Sequence, residues 1–185
     1  MDEELSKEEG RLLLKLARVS LELWIREHRR APIPDEIPPV LEQGLGAFVT
    51  LTRDGNLRGC IGNMVAHGPL VETVREMAIA AGTADPRFVA VSKEELPLLH
   101  YEVSVISPMV ETKASAVIPG KHGLYIRKGR ASGTLLPQVA SEHGWDRETF
   151  LEQTCVKAGL RPQAWKDPET TIYCYTAQVF SEDER

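Results

Sequence analysis

Cysteine is scarce in this chain of 185 residues: Cys60, Cys155 and Cys174 stand far apart, with no CxxC pair among them. An odd, scattered set excludes a disulfide-stapled scaffold, and it makes no zinc-type spacing with the five histidines. It predicts free thiols in a reducing cytoplasm. Long apolar runs are missing too, none approaching the ~20 residues that a membrane-spanning helix needs. The opening Met1-Asp2-Glu3-Glu4 is acidic where a secretory leader is basic. Positive charge is in deficit, 22 Lys and Arg against 27 Asp and Glu, a net charge of -5. That balance argues against a broad nucleic-acid-binding face. Two local basic clusters, Arg26/Arg29/Arg30 and Lys121/Arg127/Lys128/Arg130, read as solvated surface. The chain contains no internal repeat and no low-complexity tract.

What is present is a globular composition, 42% hydrophobic and 26% charged, in a length suited to one domain or two small subdomains sharing a core. Ser6-Lys7-Glu8-Glu9 is a capping box, and Leu12, Leu13, Leu16, Val19, Leu23 and Trp24 recur behind it at helical spacing, predicting a helix to about His28. Four prolines between Ala31 and Pro39 then force an extended crossing. Ala47 to Thr52 reads as a strand turned at Asp54-Gly55, with the return strand starting near Leu57. Pro69 suits the first turn of a helix to about Ala81, with Gly82 as terminator. Ser92-Lys93-Glu94-Glu95 is a second capping box, and Leu99 to Ile106 alternates as a half-buried strand. Gly123 to Arg127 and Leu135-Leu136 flank a looser hairpin containing Gly129 and Gly133. Asp146 caps a helix closed by Gly159, and Thr171 to Phe180 forms one last strand. Hairpins mixed with unpaired helices predict an α+β fold with a mostly antiparallel sheet and packed helices.

Chemistry concentrates in Leu57-Arg58-Gly59-Cys60-Ile61-Gly62. Gly59 and Gly62 carry no Cβ to keep a ligand from the backbone, so peptide N–H groups there are candidates to face an anion or a developing oxyanion; the structural alternative is that Cys60 is a small buried hydrophobe and the glycines only permit a β-bulge. Arg58, two positions before Cys60, is expected on the same strand face, placed to lower the thiol pKa or to pair with a carboxylate or phosphate. Glu102 lies on a strand with apolar neighbours, where burial would raise its pKa and suit a general acid or base; a salt bridge to Arg58 or Arg87 is the structural alternative. Asp85 and Arg87 flank Pro86 in a turn, and local bonding of Asp85 to its own downstream backbone is the simpler reading. Gln138, after Pro137, presents an amide to a ligand or to the backbone. Cys155 and Cys174 fall on predicted core faces. A metal site drawn from Cys60, His122 and Glu102 lacks any local two-ligand motif, and no cofactor is indicated.

The six-residue motif, together with Asp85-Pro86-Arg87-Phe88, Lys121-His122-Gly123-Leu124, Leu136-Pro137-Gln138-Val139-Ala140, Gly144-Trp145 and Thr154-Cys155-Val156-Lys157-Ala158-Gly159-Leu160, resembles the AMMECR-type domain family, named for the AMME-syndrome chromosomal region gene 1. The resemblance runs through nearly the whole chain and implies one domain over residues 1–185, built of two interleaved subdomains with a cleft between them. Similar domains are encoded beside, or fused to, a Memo-type protein, often with a radical-SAM protein nearby. The resemblance therefore implies those two as partners but names no reaction. His122, preceding a glycine in a shared motif, is the best histidine for a base.

Two readings follow. In the first, the chain is an enzyme or enzyme component for a small polar or anionic substrate. Cys60 is then the reactive centre, Arg58 with the Gly59 and Gly62 backbone stabilises the anion, and Glu102 and His122 are the acid–base pair, with Arg87 and Gln138 as further ligand contacts. In the second, the same surface is a non-catalytic binding module for a Memo-type or radical-SAM protein. An enzyme would enclose its site in a concave pocket, whereas a docking surface would be broader with an apolar centre.

Overall fold

The computed structural model describes residues 4–182, and their fold is α+β with two four-stranded antiparallel sheets. In chain order the elements are α1 (Lys7–Glu27), β1 (Gly46–Arg53), β2 (Asn56–Asn63), α2 (Leu70–Thr83), β3 (Leu99–Ile106), β4 (Val110–Glu111), β5 (Gly123–Lys128), β6 (Ala131–Leu135), α3 (Pro137–His143), α4 (Arg147–Lys157), β7 (Thr171–Tyr175) and β8 (Ala177–Ser181). Strands order as β2-β1-β3-β8 in the first sheet and β4-β7-β5-β6 in the second. The chain divides into two compact units, one of residues up to Ile106 plus those from Gln178, the other Ser107–Ala177.

In the first unit, α1 starts as its capping box requires: Glu9 N–H donates to the Ser6 hydroxyl at 3.3 Å while the Glu9 carboxylate accepts the Ser6 N–H at 2.6 Å. Its apolar stripe buries Leu13, Leu14, Ala17 and Leu21 with Val49, Leu51, Val74, Tyr101 and Val103. Each fully buried leucine contributes roughly 1.5–3 kcal/mol by leaving water. Gly82 lies inside α2 rather than ending it. A Cβ there would stand 2.5 Å from Leu21 of α1, so the glycine answers a close helix approach, not a cap. The β1–β2 turn is the expected one, with Asp54 and Gly55 at φ 52° and 76°.

The second unit is built around Leu124, Ile126, Ile172, Phe150, Leu151 and Cys155. Asp146 caps α4 by accepting the Thr149 N–H at 2.8 Å. The β5–β6 hairpin is tighter than its glycines suggest, because β6 continues through Gly133. A Cβ on Gly133 would lie 2.5 Å from the Ala158 nitrogen, so this glycine admits the end of α4. The single strand expected over Thr171 to Phe180 is two strands, broken at Thr176, with β7 in one sheet and β8 in the other. Thr176 N–H donates to the Ser107 hydroxyl at 2.9 Å, and Ser107 N–H donates to the Thr176 carbonyl at 3.0 Å.

Candidate functional site

The register of β1 on β2 slips between Leu51 and Thr52: Leu51 faces Gly59 and Thr52 faces Leu57, leaving Arg58 as an extra residue in a β-bulge. Regular pairing would set Arg58 opposite Leu51, a fully buried side chain. The bulge keeps the guanidinium off that face and brings Thr50 opposite Cys60 instead. Arg58 then grips Glu95 with two bonds, Nε to Oε1 at 2.8 Å and Nη2 to Oε2 at 3.1 Å, and its Nη1 donates to the Val89 carbonyl at 3.0 Å. Glu95 also accepts the Ser92 N–H at 3.0 Å, the half of the second capping box read from sequence. The Arg58 guanidinium, ahead of that N–H, pulls the Glu95 pKa down to about 2.

Cys60 is half-buried on β2, and its thiol sulfur receives the Thr50 hydroxyl at 3.3 Å. Its peptide is held from the far side. The Cys60 N–H donates to Asp85 Oδ2 at 2.9 Å, and Arg87 Nη2 reaches the Cys60 carbonyl at 3.4 Å. The local bonding expected of Asp85 is present too, since Oδ1 accepts the Arg87 N–H at 3.0 Å. The Asp85 side chain, 3% exposed, is held well below the usual carboxylate range, first by the Arg87 guanidinium and then by the Cys60 N–H. An oxyanion hole was expected of free peptide N–H groups here; at Cys60 that donor already has a carboxylate.

The two motif glycines have neighbours that leave no room for a side chain. A Cβ on Gly59 would sit 2.1 Å from the Ala81 carbonyl of α2, and one on Gly62 would enter the Phe48 ring at 2.2 Å. Packing therefore explains them without a ligand. Glu102 is half-buried on β3 in register with Thr50, so Cys60, Thr50 and Glu102 form one row across three strands. Two strand spacings, about 10 Å, separate the backbones at the ends of that row.

The remaining candidates are in the other unit. His122 closes a turn: its Nδ1 accepts the Ile118 N–H at 3.2 Å and its own N–H donates to the Ile118 carbonyl at 2.9 Å. Burial, and secondarily Lys121, lowers its pKa. Gln138 occupies the first turn of α3 beside Pro137. Thus Arg58, Gly59, Cys60, Gly62, Arg87 and Glu102 belong to one unit, His122 and Gln138 to the other. Among the described residues no group of three His, Cys, Asp or Glu side chains is placed to hold a metal ion.

A family model described as AMMECR1 matches residues 14–180. The chain belongs to the AMMECR1 family. A protein of Methanothermobacter thermautotrophicus is 47% identical over 186 residues, 97% of each chain. The protein TK0174 of Thermococcus kodakarensis is 44% identical over 185 residues, 94% of this chain and 90% of its own. The crystal structure of the uncharacterised protein PH0010 from Pyrococcus horikoshii superposes with a TM-score of 0.84 at 40% identity, covering 97% of this chain and 94% of that one.

Sequence reasoning in this AMMECR1 protein missed three participants. Glu95 is legible in the sequence only as part of a capping box, yet it is the carboxylate of Arg58. Thr50, the hydroxyl on the thiol, becomes visible only when the bulge is counted into the hairpin register. The third is Val89, whose carbonyl is pinned by Arg58 while the residue is 81% exposed. The bulge that the motif glycines permit has a further signal in the sequence, because an unbroken register opposes a charged Arg58 to a core leucine.

Proposed function

We propose that this AMMECR1 protein is a binding module, and that the face formed by β2 and the segment from Asp85 to Val91 docks a partner protein. One observation carries the reading. Three hydrogen bonds tie this segment to β2, from Arg58 to Val89, from Cys60 to Asp85 and from Arg87 to Cys60, and three more join Arg87 to Asp85 within the segment. The tied segment nevertheless turns Val89 outward, and Leu57 next to Arg58 is 43% exposed. Apolar side chains held rigidly in water lose little conformational entropy on association, and charged groups at their rim set orientation. Partners of the Memo type or the radical-SAM type are the occupants to test. In calorimetric titrations with each purified partner, Cys60→Ala retains binding, whereas Val89→Glu weakens it about a hundredfold, the scale of an interface anchor. Loss of binding in Cys60→Ala with retention in Val89→Glu contradicts the reading.

A second reading rests on the Thr50 hydroxyl at the Cys60 sulfur, with Glu102 in the same row. The hydroxyl is placed to orient the sulfur, and a nucleophilic thiol there is the starting point of a cysteine-centred reaction on a small polar or anionic substrate. Turnover of such a substrate by wild type, abolished in Cys60→Ser, decides for this reading over docking.

A further inference from the structure

The second sheet has two faces of different character. Leu124, Ile126 and Ile172 point to the core under α3 and α4. Tyr125 and Arg127 of β5 and Tyr173 of β7 alternate to the other face, with Thr134 and Ser132 of β6 beside them in register. Tyr125 and Tyr173 oppose each other directly on the two central strands, half-buried, with ring centroids 5.9 Å apart and planes inclined at 52°. At that tilt neither ring is stacked flat on the other. The exposed Arg127 donates to the Tyr173 hydroxyl at 3.3 Å and lies 5.9 Å from its ring centroid. The β5–β6 turn adds exposed Arg130, while Lys128 is taken up by Asp167 at 2.5 Å. Glu111 of β4 closes the tyrosine row on the opposite edge. The unit from Ser107 to Ala177 holds nine Lys and Arg against seven Asp and Glu, a net +2 inside a chain of net charge -5.

We propose that this face is a stacking platform for a short single-stranded nucleic acid. Two aromatic rings on the middle strands of a sheet take successive bases, and a guanidinium beside them meets the phosphates. Glu111 repels the backbone from the β4 edge and directs it over Arg127 and Arg130. Charge complementarity selects the occupant: the net charge argued against a broad polyanion face, and this site is narrow, confined to the unit whose balance is positive. The site is independent of the Cys60 strand and of what docks there.

The test is fluorescence anisotropy of the full chain with labelled octamers of uridylate and of thymidylate at about 50 mM salt, where phosphate contacts are strongest. A polyglutamate peptide of equal charge is the comparison. Binding of either octamer is expected, with preference for uridylate marking recognition of the 2′-hydroxyl. Tyr125→Ala and Tyr173→Ala each weaken binding about tenfold, the scale of one lost base stack, while Tyr125→Phe keeps it. Arg127→Gln lowers the salt slope by about 0.7, the value for one single-strand phosphate. The phenylalanine and glutamine variants preserve strand character and guard against loss of fold. No binding of either octamer, binding indifferent to both alanine variants, or equal binding of polyglutamate overturns the proposal.

Discussion

Glu95 and Asp85 show how single carboxylates organise the site. Glu95 is stabilised as an anion by Arg58, the Ser92 N–H and Arg53, and Asp85 by Arg87 and the Cys60 and Arg87 N–H groups, so each has a folded pKa below its ordinary value. For Glu95 the shift runs from 4.5 to about 2. A depressed carboxylate contributes stability above its unfolded pKa, and that contribution is lost as pH falls through the folded pKa. The wild-type protein therefore loses urea resistance between about pH 4.5 and pH 2, and Glu95→Gln, already without the anion, shows a flatter acid limb with lower resistance at neutral pH. An equally steep limb in Glu95→Gln would mean that other groups carry it. Reading residue by residue recovered the Asp85 turn, whose chemistry is local. It missed Glu95, because its partner Arg58 is 37 positions away and arrives only through a tertiary fold.

Among elements, the local rules were legible where they are strong. The capping box of α1, the Asp54-Gly55 turn and the Asp146 cap all stand where the sequence puts them. Glycine misled twice for the same reason. Gly82 and Gly133 look like punctuation, but each sits inside an element to let another backbone or side chain approach. Gly59 is the sharpest case, since its missing Cβ makes room for the Ala81 carbonyl of α2. Gly59→Ala must move α2 away from β2, and overpacking of this kind costs about 2 kcal/mol or more. Chemical denaturation will show that loss for Gly59→Ala. An unchanged midpoint would mean that β2 and α2 are not so closely packed, and would return the glycine to a ligand-binding role.

For the whole molecule, the α+β class followed from alternating strands and separated helices, but the break at Thr176 did not. Alternation of side chains continues through Tyr175-Thr176-Ala177, so nothing in the period marks where the chain leaves one sheet for the other. The return of β8 fastens the first unit. Gln178 exchanges bonds with Leu5, Phe180 fills the space left by Gly10, and Glu182 binds Arg18 at 2.7 and 2.8 Å and accepts the Tyr101 N–H at 3.0 Å. Against that well-fastened frame, Cys60 lies on an edge strand, where peptide groups exchange readily with solvent unless something covers them. Asp85 covers the Cys60 N–H, making the motif a clasp rather than an open anion site. Amide hydrogen exchange over the whole chain tests this most directly. It should find the Cys60 amide protected to the level of the Val49 and Val103 amides in wild type, and released at least about tenfold in Asp85→Ala while those two stay slow. A Cys60 amide that exchanges as an open peptide in wild type would contradict the clasp and leave that donor available to a substrate.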